Sequence, residues 1–78
     1  MKKVVLPELG EGILKATVSY WYFKDGDRVT QNDDLVELAT DKATFNLPSP
    51  CSGTIREVNF HEGDTVNIGE VLAIIEEN

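Results

Sequence analysis

The sequence predicts an all-β fold, two small antiparallel sheets facing each other with pseudo-two-fold symmetry. Three observations carry this. The chain is written twice: "FKDGDRVTQNDDLVEL" at residues 23–38 returns as "FHEGDTVNIGEVLAII" at 60–75, a shift of 37. The segments between turns are short and rich in β-branched and aromatic residues. No segment spaces its apolar residues at a helical period.

The elements follow in order. "TVSYWYF" at 17–23 and its mate "GTIREVNF" at 53–60 read as strands, with Val18 matching Ile55 and Trp21 matching Val58. "KDGD" at 24–27 and "HEGD" at 61–64 read as turns, where Gly26 and Gly63 take a positive φ without steric cost. Asn32 fills the slot of Gly69, and both residue types tolerate the left-handed region, so a second matched turn is expected. "LVELAT" at 35–40 and "VLAIIEE" at 71–77 are apolar runs of strand length. Pro48 and Pro50 exclude helix across "NLPSPCSG" at 46–53 and confine any strand there to an edge or an end. Half of "SYWYF" is expected in the core, leaving Tyr20 and Tyr22 partly exposed.

Bulk properties exclude several functions. A chain of 78 residues is one small domain, burying only roughly 60% of its unfolded surface, with little room for an enclosed active site. Fourteen acids against seven bases give a net charge of −7, which repels nucleic acid and anionic membranes and favours a soluble monomeric module that meets basic surfaces. No apolar run is long enough to span a bilayer, and "MKKVVLPELG" has no signal-peptide core, so a protein that is not secreted is expected. Cys51 has no disulfide partner and reads as a small buried residue near Leu47 and Ile55. The single His61 sits in a turn, so neither a thiol–histidine pair nor a zinc ligand set is expected.

The join between the halves holds Lys42. Moved back by 37 it falls on Val5, and moved forward it falls one place past Asn78, so its symmetry mates are the chain ends. The flanks "LVELA" and "TFNL" with four residues between them suit a tight hairpin, which puts Lys42 at an exposed tip, on the side opposite the termini. Lysines in turns are ordinarily only solvated, and Asp41 beside it offers at most a weak surface pair. An acylated lysine at such a tip becomes an attachment post.

"LPELGEGI" at 6–13, the Gly26-Asp27 and Gly63-Asp64 turns, "TDKA" at 40–43 and "PSPCSGTI" at 48–55 together resemble the lipoyl domain of the acyltransferase components of 2-oxo acid dehydrogenase complexes. The resemblance spans essentially all 78 residues. It implies a flattened barrel of two four-stranded sheets and lipoic acid in amide linkage on Lys42, attached by a separate lipoate ligase. It further implies visits to a thiamine-diphosphate-dependent 2-oxo acid decarboxylase, an acyltransferase core and dihydrolipoyl dehydrogenase, with residues 1–78 one domain of a longer chain. The domain itself would carry and not catalyse, in a bacterial cytoplasm or a mitochondrial matrix. Asp41 and Ala43 would serve ligase recognition. Glu37 and Asp41 would steer the domain toward basic enzyme mouths, more strongly once acylation removes the charge of Lys42. Many members of the family carry an acid where this chain has Ala39, which weakens the acidic patch.

Two other readings remain. A biotinyl carrier shares the fold, but its lysine typically lies between two methionines; here the neighbours are Asp41 and Ala43, and the only methionine is Met1. An unmodified binding module would use Tyr20, Trp21 and Tyr22 as its surface.

Overall fold

In the computed structural model, which describes residues 1–77, eight strands form two four-stranded sheets. They are β1 (Lys2–Val5), β2 (Lys15–Trp21), β3 (Arg28–Val29), β4 (Asp34–Ala39), β5 (Thr44–Pro48), β6 (Gly53–Val58), β7 (Thr65–Asn67) and β8 (Val71–Glu77). One sheet runs β1-β8-β6-β3 and the other β5-β4-β2-β7, with every pairing antiparallel. The all-β expectation of two facing sheets is met.

The pseudo-symmetry extends to single hydrogen bonds. A shift of 37 carries the register break between Val18 and Tyr20 onto that between Ile55 and Glu57. Each Gly-Asp turn ties its own strand to the other sheet: the Gly26 amide donates to the Ile55 carbonyl at 2.7 Å, and the Gly63 amide to that of Val18 at 2.8 Å. Within the turns the carboxylates of Asp27 and Asp64 accept from the amides of Lys24 (3.0 Å) and His61 (2.8 Å). Asn32, with φ of 76°, and Gly69, with φ of 92°, occupy the matched left-handed positions expected of them.

The outer strands break the simple shift. Opposite β4, Leu38 pairs with Phe45, Glu37 with Asn46 and Val36 with Leu47; opposite β8, Ile75 pairs with Lys2, Ile74 with Lys3 and Ala73 with Val4. Strand β1 is therefore the mate of β5 at a shift of 43, not 37. The connection from β1 to β2 is thus six residues longer than its counterpart from β5 to β6, the difference between the shifts of 43 and 37. Val5, the mate of Lys42 under the constant shift, is instead the mate of Pro48. The hairpin still maps onto the chain ends, because the closing pair Ala39–Thr44 corresponds to Glu76 and Met1.

The core divides into two clusters that are images of each other. Val18, Val36, Leu38, Val66 and Leu72 form one; their mates Ile55, Ala73, Ile75, Val29 and Leu35 form the other. Trp21 and Leu47 pack against both, joining them, and the Trp21 indole N–H donates to the Phe60 carbonyl at 2.8 Å. Each fully buried Leu or Ile contributes on the order of 1.5–3 kcal/mol, which makes this double core the main source of stability. Leu6 in the first half is answered by Ser49 in the second, buried with its hydroxyl bonded to the Cys51 carbonyl at 2.7 Å.

Three expectations need adjustment. Cys51 is half-buried against the second cluster, because the Pro48–Ser52 crossing runs along the rim of the core. Strands β2 and β6 end at Trp21 and Val58, two residues earlier than read, since the chain turns there toward the opposite sheet. Strands β1, β3 and β7 were not individually predicted by residue pattern.

Candidate functional site at the β4–β5 hairpin

The site begins with the pairing of Ala39 and Thr44, which leaves residues 40–43 as the hairpin tip. The Thr40 amide donates to the Ala43 carbonyl at 2.8 Å. The Thr40 hydroxyl accepts from the amides of Lys42 (3.3 Å) and Ala43 (3.1 Å) and lies 3.0 Å from the Ala43 carbonyl. Hairpins with two central residues favour a positive φ there. Neither Asp41 nor Lys42 adopts one, and the threonine side chain closes the turn in its place. The main chain of Lys42 is thereby fixed while its side chain stays exposed, as expected.

The Lys42 ammonium forms no ion pair among the described residues. It donates a hydrogen bond to the Glu11 carbonyl at 3.4 Å. Glu11 lies in the long β1–β2 connection, the segment that holds the six extra residues. That segment packs beside the hairpin, and between them runs an open groove of about 460 Å³ lined by Ile13, Leu14, Thr17, Asp41 and Lys42 among others. Gly12, with φ of +81°, lies close enough that a Cβ there would stand 3.8 Å from Nζ. Leu14, three-quarters exposed, supplies an apolar wall.

Chemically this is an exposed primary amine, open to acylation. An amide formed at Nζ retains one N–H and so can still donate to the Glu11 carbonyl, whereas an ion pair would be lost. Of the residues expected to act together, Asp41, Lys42 and Ala43 share the tip. Glu37 does not line the groove; it sits on the outer face of β4, paired with Tyr20 and Asn46. The part of the site that sequence reading missed is Glu11–Leu14. Its signal was the failure of the repeat upstream of Lys15, together with an unneeded apolar residue, Leu14, just before a strand. Cys51 and His61 share no hydrogen bond, and burial, with a smaller push from Glu77, raises the Cys51 thiol above its ordinary value. No cluster of three metal-ligating side chains occurs among the described residues.

A profile of the biotin/lipoyl-attachment family, described as "Biotin-requiring enzyme", matches residues 2–75. This chain belongs to that family. It is 41% identical over 75 residues to the dihydrolipoyllysine-residue succinyltransferase component of the 2-oxoglutarate dehydrogenase complex of Rickettsia conorii, covering 96% of this chain and 19% of that protein. It is 43% identical over 72 residues to the corresponding acetyltransferase component of the pyruvate dehydrogenase complex of Corynebacterium glutamicum, covering 92% of this chain and 11% of that one. The solved lipoyl domain of the 2-oxoglutarate dehydrogenase complex of Azotobacter vinelandii superposes with a TM-score of 0.81 at 32% identity, over 99% of this chain and 98% of that one. The chain thus spans less than a fifth of one curated relative's length and about a ninth of the other's. The family member described here is a lipoyl-type carrier module homologous to those acyltransferase domains, and a module of this family is not itself a catalyst.

Proposed function

We propose that Lys42 carries lipoic acid in amide linkage and that the domain shuttles acyl groups and electrons among the active sites of a 2-oxo acid dehydrogenase complex. The observation that carries this reading is an exposed amine, without an ion pair among the described residues, on a hairpin whose backbone is pinned by Thr40. When bound, lipoate supplies a disulfide strained within a five-membered ring, readily opened to take up an acyl group together with two electrons. The protein's share is position and recognition. The β scaffold presents the amine, Glu11 offers it an acceptor, and Asp41 and Ala43 leave it open to a lipoate ligase.

The partners proposed are that ligase, a thiamine-diphosphate-dependent decarboxylase, the acyltransferase core and dihydrolipoyl dehydrogenase. Residues 1–78 are proposed as one domain of a larger acyltransferase, where a tether raises its local concentration at each partner; relatives several times longer support this. Bacterial relatives favour the cytoplasm as its compartment.

Co-expression with a lipoate ligase and, separately, with a biotin ligase, each followed by intact-mass measurement, tests the reading. One lipoyl increment that disappears in Lys42→Arg is the expected result. A biotin-sized increment would assign the domain to carboxylases instead. No increment with either ligase would refute the carrier role for this lysine.

A further inference from the structure

We propose that the outer face of the β2–β4–β5 sheet, centred on Tyr20 and Tyr22, is the surface on which an arginine-bearing patch of the decarboxylase docks. This rests on the carrier reading above. Tyr20 is 51% and Tyr22 42% exposed, and their rings meet edge to face at 5.1 Å. They are held in place: the Tyr22 hydroxyl donates to the Asn46 side-chain carbonyl at 3.2 Å, and the Asn46 amide reaches the Asp34 carboxylate at 3.4 Å.

The fold does not require aromatic rings here. The pseudo-two-fold mates of Tyr20 and Tyr22 are Glu57 and Asn59, and the opposite sheet forms without aromatics at those positions. One of two equivalent faces therefore carries an aromatic pair where the other carries none.

The surroundings specify the occupant. Tyr20 pairs across strands with Glu37, and Asp34 closes the Tyr22–Asn46 chain. Strands β4, β5 and β7 contain no lysine or arginine, and the one cation of β2, Lys15, lies at its far end opposite Asn67. Tyrosine faces flanked by carboxylates suit guanidinium groups, which stack on the rings and pair with the acids. A second copy of this acidic face would be repelled, as would nucleic acid. Glu37 stands two residues before Ala39, so the face leads directly to the hairpin, and a partner seated on it faces the tip.

The lipoylated domain is presented to purified 2-oxoglutarate and pyruvate decarboxylase components, and reductive acylation is followed with whichever accepts it. Tyr20→Gln with Tyr22→Asn is expected to lower kcat/KM about tenfold, through KM, as for aromatic anchors at interfaces. Lipoylation by the ligase and the rate with Glu57→Gln on the opposite face should stay unchanged. In parallel, resonances of Tyr20, Tyr22 and Asn46 of the wild-type domain should broaden on titration with the same decarboxylase. A kcat/KM within about twofold of wild type, or broadening that spares these residues, overturns the docking face while leaving the carrier reading intact. Failure of both decarboxylases to acylate a lipoylated wild-type domain overturns both readings.

Discussion

The Thr40 side chain takes over a task that the main chain usually performs, accepting the amide of Ala43 at 3.1 Å to close the hairpin beneath Lys42. Removing that oxygen while keeping the shape of the side chain should loosen the tip. Thr40→Val is expected to cost about 1 kcal/mol in denaturant unfolding and to slow ligase-catalysed lipoylation several-fold, while Thr40→Ser retains both. A valine variant lipoylated at the wild-type rate would show that the pinned tip does not matter to the ligase.

Charge near the tip should act at long range. Glu37 and Asp41 are the acids expected to draw the domain to basic enzyme mouths, and acylating Lys42 leaves the net charge one unit more negative than −7. Glu37→Gln with Asp41→Asn should slow reductive acylation markedly at low ionic strength and little at about 1 M salt, where screening acts within roughly 3 Å. An equal loss at both salt concentrations would mean that these carboxylates do not act through long-range attraction.

Close packing of the two central strands of the β1-β8-β6-β3 sheet gives the sharpest stability prediction. A Cβ on Gly53 would stand 2.1 Å from the Glu76 carbonyl oxygen. That neighbour is main chain and cannot rotate away, so Gly53→Ala should destabilise the fold by about 2 kcal/mol or more. A melting curve coincident with wild type would contradict the tight approach of β6 to β8. Ala16, the symmetry mate, already carries the methyl group that Gly53 cannot.

The thiol of Cys51 sets an alkaline limit. Burial raises it in the folded chain above the unfolded value of 9.0, so the folded state holds this proton more tightly. Its contribution is complete below 9.0 and is lost as pH climbs toward the raised folded value. Cys51→Ala should therefore lose less stability than wild type on going from neutral pH to above 9.0, measured by urea unfolding. Parallel pH profiles for the two proteins would exclude the effect.

Most of this architecture is legible in the sequence because it is stated twice. Phe23 and Phe60, the Gly-Asp turns, and Leu35 with Leu72 all fall in register, and each ends in an equivalent structural position. Strand β3 escapes because two residues carry no periodicity, and its place is set by pairing with Thr54 and Gly53 far along the chain. Strand β1 escapes because its partner repeat lies 43 residues on, so a constant shift aligns it with the hairpin instead. The position of Lys42 is readable from the turn pattern around it, whereas its neighbour Glu11 is not. A contact between a main-chain carbonyl and a side chain 31 residues away leaves no mark on residue type.

Since the hairpin and the two termini occupy interchangeable places in the pairing scheme, the fold offers two equivalent positions for a chain break. A chain opened within 40–43 and bridged from Glu76 to Met1 by four turn-forming residues keeps every strand neighbour. If that bridge were itself Thr-Asp-Lys-Ala in an otherwise uncut ring, the same body would present two hairpin-tip lysines where it now presents one.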